Sequence, residues 1–314
     1  MTRTLRLSRR YDLDFFSVGQ VTLDTIIDHH GEHGLLPGGG ALYPALVAAQ
    51  LGLRSAVYGK VGSDFPSPAL AKLRATGLNI EAIRKVKGKT AKLTIEYLDA
   101  FEEKVGIFSG VGYELSTREL PKALFNSRVI HVSTARASFL ESFFECVCGR
   151  ERALVSFAPK SDLKQEPPQR VASLFSRVEA LFFNEFEIGL YSAAGSMEQR
   201  LLNIASKGPK VVVVTLGERG SLVCGDQKVY EIEAFRPNLL RSRCGAGDAY
   251  LAGFLYAYLR GCSLPDCGGF ASRVAVSVMD DYGLPLNTET FARIFSDPFS
   301  QEILKKPMTG MCRR

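Results

Sequence analysis

Short apolar runs recur along the chain, each followed by a polar loop and a stretch with helical spacing. Residues 15–18, 55–61, 129–132, 153–157, 180–183 and 211–214 are such runs, all of strand length. Strands without a polar face are covered on both sides. Their alternation with helices predicts an α/β fold, three layers deep (α/β/α), with a mostly parallel central sheet. Ligands of such a sheet bind at the carboxyl ends of its strands.

Helix signals fall between the runs. Gly38-Gly39-Gly40 precedes an apolar helical pattern over 41–51, closed by Gly52. Ser67-Pro68 offers an N-cap and a first-turn proline for a helix that ends near Gly77. One segment has another texture. Leu93, Ile95 and Tyr97 alternate with Lys92, Thr94 and Glu96, which is the pattern of a strand with one wet face. A turn over 99–103 and a return strand over 104–108 complete a hairpin apart from the buried sheet. Residues 29–35 read as turn, so most of this smaller sheet is expected from residues 93–108. No internal repeat or low-complexity linker interrupts the chain, and a single domain over 1–314 is expected.

Composition changes the picture little. The 314 residues are 46% hydrophobic and 23% charged, enough for a sizeable core. The net charge of +6 is scattered, without the basic block that nucleic acid would require. The basic start, residues 3–10, reads as a surface arm. Seven cysteines, an odd number with no C-x-x-C pair, argue for reduced thiols and a cytoplasmic setting. No apolar run reaches membrane-spanning length, and no signal-peptide core stands near the first residue.

The candidate chemistry centres on Cys244-Gly245-Ala246-Gly247-Asp248, just before a helical run to residue 260. Small residues at a helix start leave backbone N–H groups pointing outward, where the helix dipole favours an anion such as phosphate. Asp248 beside that anion fits a general base for a hydroxyl nucleophile. Other motifs have plainer readings too. The glycines at 38–40 either start a helix or let a ligand approach the backbone. Asn184-Glu185-Phe186-Glu187 is either an N-cap with acidic first-turn residues or a neighbour of a metal–phosphate group. Thr215 to Gly220 follows a strand as a turn or a nucleotide loop. His29, His30 and His33 lie in a glycine-rich turn and do not suggest a metal site. There is no G-x-S-x-G elbow, P-loop or G-x-G-x-x-G.

In their order, these motifs resemble the ribokinase-like (PfkB-type) carbohydrate kinases over residues 15–291. Asp24 follows the first strand. Gly59 to Asp64 is similar to the family's G-x-V-G-x-D, Asn184 to Glu187 to its N-x-x-E, Thr215 to Gly220 to its T-x-G-x-x-G, and Gly245 to Asp248 to its G-A-G-D. The resemblance implies a small β-lid, with elements from about 24–37 and 90–110. It implies phosphoryl transfer from ATP, with Mg2+, to a hydroxyl of a sugar or cyclitol. Asp248 would be the base, and the amides of Gly245, Ala246 and Gly247 would hold the developing charge. Asp24, Gly38 and Gly39 would bind substrate. Asn184 and Glu187 would order the metal–phosphate water network, with Glu187 meeting the metal through water. Thr215, Gly217 and Gly220 would line the nucleotide loop, with Ser272 near the adenine.

Several positions depart from the family pattern. Tyr43 stands where many members have an asparagine that contacts the sugar. It is either an aromatic wall for substrate, reminiscent of cyclitol (inositol-type) kinases, or a core residue. Lys160, in Ala158-Pro159-Lys160, replaces the last residue of Asp-Pro-Asn and is expected to meet a phosphate. Ser242-Arg243-Cys244 replaces D-T-x, which removes ligands for a monovalent cation. Arg243 either supplies that charge or points to solvent. A nucleoside kinase of the same fold and a catalytically idle paralogue are the alternatives. A lid with an exposed sheet face could also pair two copies.

Overall fold

The computed structural model describes residues 11–28, 30–97, 103–108, 110–133, 135–148, 153–160, 163, 166–237, 240–280, 282–286 and 288–308. The basic start, His29 and residues 99–102 of the expected turn lie outside these residues.

The apolar runs become the strands of one large sheet. They are β1 (Leu13–Val18), β4 (Ser55–Val61), β5 (Ile83–Lys85), β8 (Ser127–Val132), β9 (Leu154–Phe157), β10 (Ala180–Asn184), β11 (Val211–Thr215), β12 (Ser221–Gly225) and β13 (Lys228–Ile232). Their order is β13-β12-β11-β10-β9-β8-β1-β4-β5. All neighbours pair in parallel except β11–β12 and β12–β13. That antiparallel edge was not expected. Its turn, Asp226-Gln227, holds both residues at positive φ, as a two-residue hairpin requires.

Successive side chains enter opposite cores. Phe15, Val129 and Val213 pack against α7 (Ala246–Tyr258) and α8 (Leu264–Ser277), while Phe16, Val18, Ile130 and Val212 face α3 (Ala137–Val147) and α6 (Met197–Ala205). Gly253 lets α7 lie against α8, since a Cβ there would stand 2.9 Å from Val274. The remaining helices are α1 (Leu42–Gln50), α2 (Ser67–Ala75), α4 (Pro168–Ala172), α5 (Glu185–Gly189), α9 (Ala292–Ser296) and α10 (Pro298–Lys305). α2 starts one residue before expectation: Pro66 is its N-cap, and Ser67 is already helical.

A second sheet has the order β3-β2-β6-β7, with β2 (Thr22–Asp28), β3 (Gly31–Gly38), β6 (Ala91–Tyr97) and β7 (Glu103–Phe108). The expected hairpin is β6–β7, with Leu93 opposite Ile107 and Ile95 opposite Val105. The turn expected over 29–35 is instead largely strand, so half of this sheet comes from residues 22–38. β3 is an edge strand, where Gly31, Gly34 and Pro37 are tolerated because one side of the backbone needs no partner.

The chain passes between the sheets at residues 19–21, 39–41, 86–90 and 110–112, and these crossings pack backbone on backbone. At Gly39 (φ +103) a Cβ would lie 2.4 Å from the Gln20 carbonyl oxygen; at Gly110 it would lie 2.5 Å from the Ala91 nitrogen. Asp64, the end of the Gly59–Asp64 motif, accepts hydrogen bonds from the Thr90 amide (2.8 Å) and hydroxyl (2.7 Å). Burial would raise the Asp64 pKa, but the Thr90 hydrogen bonds outweigh it and lower the pKa. That motif therefore anchors the start of β6.

Candidate active site

The sequence-marked residues gather at the carboxyl ends of the parallel strands and along the adjoining small sheet. α7 begins three residues earlier than the helical run expected from residue 249, so Ala246, Gly247 and Asp248 form its first turn. Gly245 is its N-cap, at φ +79. A Cβ at Gly245 would stand 2.1 Å from the Tyr43 ring, whereas one at Gly247 would meet nothing within 4 Å. Backbone thus packs on one side of the helix start, and space opens on the other. The Ala246 amide donates to the Arg243 carbonyl at 3.2 Å, so it is engaged within the loop rather than turned to an anion.

Tyr43 is 2% exposed and its hydroxyl donates to Cys244 Sγ at 3.5 Å. Burial pushes its pKa well up, helped by the neighbouring Cys244 and Asp24. Of the two expected readings, substrate wall or core residue, Tyr43 takes the second, packed beneath the helix start because α1 aims this ring inward. Arg243 likewise does not face the phosphate site. Its guanidinium lies 5.7 Å over the Tyr97 ring, and its amide donates to the Tyr97 hydroxyl at 3.0 Å.

Asp248 carries the principal charge contact. Lys160, from the loop after β9, places its Nζ 2.8 Å from Asp248 Oδ1. Lys160, expected to meet a phosphate, here contacts Asp248. His131 and Ser133 line the same strand ends. His131 is fully buried, with Nδ1 3.0 Å from Ser156 Oγ. Burial, with the nearby Lys160 charge, lowers its pKa to about 3, so it stays neutral. A histidine inside the apolar run 129–132 was the signal that could have marked it.

Asp24, on β2, is 1% exposed, and neither carboxylate oxygen has a well-formed hydrogen bond. Burial raises its pKa to about 7. The Thr22 hydroxyl and Leu93 amide pull the other way, while the Asp248 charge adds to the rise. Gly38 lies directly over it: a Cβ there would be 1.8 Å from Oδ2. Each glycine of the 38–40 run has its own close neighbour: the Asp24 carboxylate, the Gln20 carbonyl and, at Gly40, the Ser133 hydroxyl.

The nucleotide-side motifs assemble as a second group. Asn184 and Glu187 form a reciprocal capping box on α5: Asn184 Oδ1 accepts from the Glu187 amide at 2.8 Å, and Glu187 Oε2 accepts from the Asn184 amide at 2.8 Å. Asn184 pairs with Thr215 across β10 and β11, and Arg219 forms an ion pair with Glu185. Gly217 (φ +63) faces open space, while Gly220 (φ +84) presses against the Ile232 carbonyl. Ser272 Oγ accepts from the Phe235 amide at 2.7 Å, fixing the segment after β13 beside this loop.

Comparison with known proteins identifies the family and the fold. Residues 11–290 match the pfkB family carbohydrate kinase model. A nucleoside kinase of Methanothermobacter thermautotrophicus is 32% identical over 294 residues, covering 88% of this chain and 92% of that protein. A cytidine kinase of Thermococcus kodakarensis is 29% identical, covering 86% and 98%. The crystal structure of Methanocaldococcus jannaschii nucleoside kinase superposes with a TM-score of 0.77 at 24% identity, over 95% of this chain and 100% of that one. These relatives are nucleoside kinases, and with Tyr43 buried the leaning toward cyclitol kinases does not stand. The fold is ribokinase-like, and the chain belongs to the pfkB carbohydrate kinase family, as a phosphotransferase acting on a sugar or a nucleoside.

Proposed function

We propose that this protein transfers the γ-phosphoryl group of ATP to the primary hydroxyl of a nucleoside. Asp24 carries the reading. A buried carboxylate with both oxygens poorly partnered suits the two neighbouring hydroxyls of a ribose. With that pair held, the remaining ribose hydroxyl is the one to stand at Asp248. The nucleobase needs an apolar surface, and the small sheet offers an apolar face. Val105 (51% exposed) and Ile107 (54%) share a face with Ile95 and Leu93. The relatives named nucleoside and cytidine kinase support the same choice.

In the reaction, the acceptor hydroxyl gives its proton to Asp248. Its oxygen bonds to the γ-phosphorus as the bond to the β–γ bridging oxygen breaks, and that electron pair leaves with ADP. The start of α7, chiefly the Gly247 amide, stabilises the charge on the moving phosphoryl. Thr215, Gly217 and Gly220 border the nucleotide. Glu187 offers a hard oxygen donor at this rim, and the described residues hold no cluster of three metal-ligating side chains. That donor set suits Mg2+ carried by the phosphates and touching Glu187 through water. Such an ion supplies positive charge to the phosphate oxygens.

A kinetic panel of nucleosides, pentoses, hexoses and cyclitols tests this reading. A nucleoside should give the highest kcat/KM, and Asp248→Asn should lower kcat by about 100- to 10,000-fold without unfolding the protein. A free sugar that outperforms every nucleoside overturns the substrate assignment.

A further inference from the structure

The ion pair between Lys160 and Asp248 has no counterpart in the roles assigned above. The contact is an ion pair at 2.8 Å, without the alignment of a hydrogen bond at Oδ1. Ala158 donates its amide to the Val132 carbonyl (3.1 Å), Pro159 stiffens the next step, and the Leu163 amide returns to the Lys160 carbonyl (3.0 Å). Ala158, the first residue after β9, is thereby tied to the end of β8. The lysine stem runs past Gly40, where a Cβ would lie 3.8 Å from Lys160 Cε and 2.2 Å from Ser133 Oγ. Lys160 Cε is thus an ordinary contact neighbour of Gly40, whose close approach is to the Ser133 hydroxyl. The Lys160 side chain is 30% exposed and that of Asp248 12%, so the pair is largely screened from solvent. Nearby His131 is neutral, and Arg243 is drawn away to Tyr97, so neither competes for the Asp248 carboxylate.

We propose that Lys160 is a positioning residue for phosphoryl transfer, acting through Asp248. It holds Oδ1, which leaves Oδ2 aimed at the acceptor hydroxyl. A carboxylate swinging about its side-chain torsions would seldom present an oxygen in line; one paired with the Lys160 ammonium would do so more often. This inference rests on Asp248 as the base but not on a nucleoside as the acceptor.

The test compares the parent with Lys160→Met, Lys160→Arg, Asp248→Asn and the Lys160→Met/Asp248→Asn double variant. Steady-state kinetics use the best acceptor in the panel, and slow ATP hydrolysis by water is followed in parallel. A wrong substrate class shows in the parent's panel, before any variant is made, and the hydrolysis measurement needs no acceptor at all. Lys160→Met should lower kcat about 10- to 100-fold while acceptor and ATP KM stay within about threefold. Lys160→Arg should recover part of the loss. The double variant should be no slower than Asp248→Asn alone, because a residue acting through Asp248 has nothing left to position. Thermal melting identifies any variant that fails to fold, and Lys160→Arg then carries the comparison. Three results overturn the proposal. One is kcat within twofold of the parent in Lys160→Met. Another is a loss confined to ATP KM, which makes Lys160 a phosphate contact. The last is a double variant slower than Asp248→Asn by the full Lys160→Met factor.

Discussion

The Tyr97 hydroxyl, at the far end of β6, accepts a hydrogen bond from the Arg243 amide at 3.0 Å and lies 3.2 Å from Ser242 Oγ. The small sheet is therefore fastened to the loop that leads into α7, two residues before Gly245. The Arg243 guanidinium over the Tyr97 ring adds a second tie between the same elements.

Tyr97→Phe keeps the ring and deletes the hydroxyl. A hydrogen bond of this kind contributes about 1 kcal/mol. The expected outcome is a few-fold loss in kcat/KM with a nearly unchanged Tm. Amide exchange within β6 and β7 should quicken, as hydrogen-exchange mass spectrometry would show. Unchanged exchange there would remove Tyr97 as a fastening.

Asp24 makes stability and binding depend on pH. Its folded-state pKa, about 7, lies above the ordinary 3.8. Between these values the folded protein holds a proton that the unfolded chain has released. Stability without ligand should therefore fall as pH rises from about 4 to 7, by on the order of a few kcal/mol, then level off. Asp24→Asn should flatten this slope in denaturant titrations. Ribose hydroxyls prefer the ionised carboxylate, so acceptor affinity should improve as pH rises through 7, with a proton released on binding. Calorimetry in buffers of different ionisation enthalpy checks this sign.

Glu187 separates two roles in one side chain. Glutamine also serves at the third position of a capping box, so Glu187→Gln should leave Tm nearly unchanged. The Mg2+ concentration giving half-maximal rate should nonetheless rise several-fold. An unchanged magnesium requirement would confine Glu187 to its capping role.

Potassium should be dispensable. Ser242 Oγ is already engaged by Tyr97 and by the Cys244 amide (3.1 Å), and a thiol at 244 is a poor ligand for a hard cation. Replacing potassium with tetramethylammonium at constant ionic strength should leave the initial rate unchanged.

What the sequence disclosed was local. The parallel strands announce themselves as apolar runs because both faces are covered. Gly245 to Asp248 is legible because the helix start and its base are contiguous. β3 was hidden because its edge position accepts the glycines and proline that elsewhere mean a turn. β13 was hidden because its half-exposed side chains lack a strong alternation. Tyr43 stayed open between a substrate wall and a core residue because an aromatic in place of a polar contact gives no sign of its depth. The pairing of Lys160 with Asp248 joins a loop after β9 to the first turn of α7, and only the folded sheet brings these together.

The backbone-packed crossings make the small sheet a lever. Ala91 sits at the fulcrum and Tyr97 six residues out, about 20 Å along an extended strand. A rotation of about ten degrees at the crossings would carry Tyr97 roughly 3 Å, enough to make or break its contacts with Ser242 and Arg243. The same rotation would hardly disturb Asp64 and Thr90 beside the pivot. A spectroscopic label near the outer end of β6 would therefore register sheet movement with the greatest gain, and one near Thr90 would serve as its stationary reference.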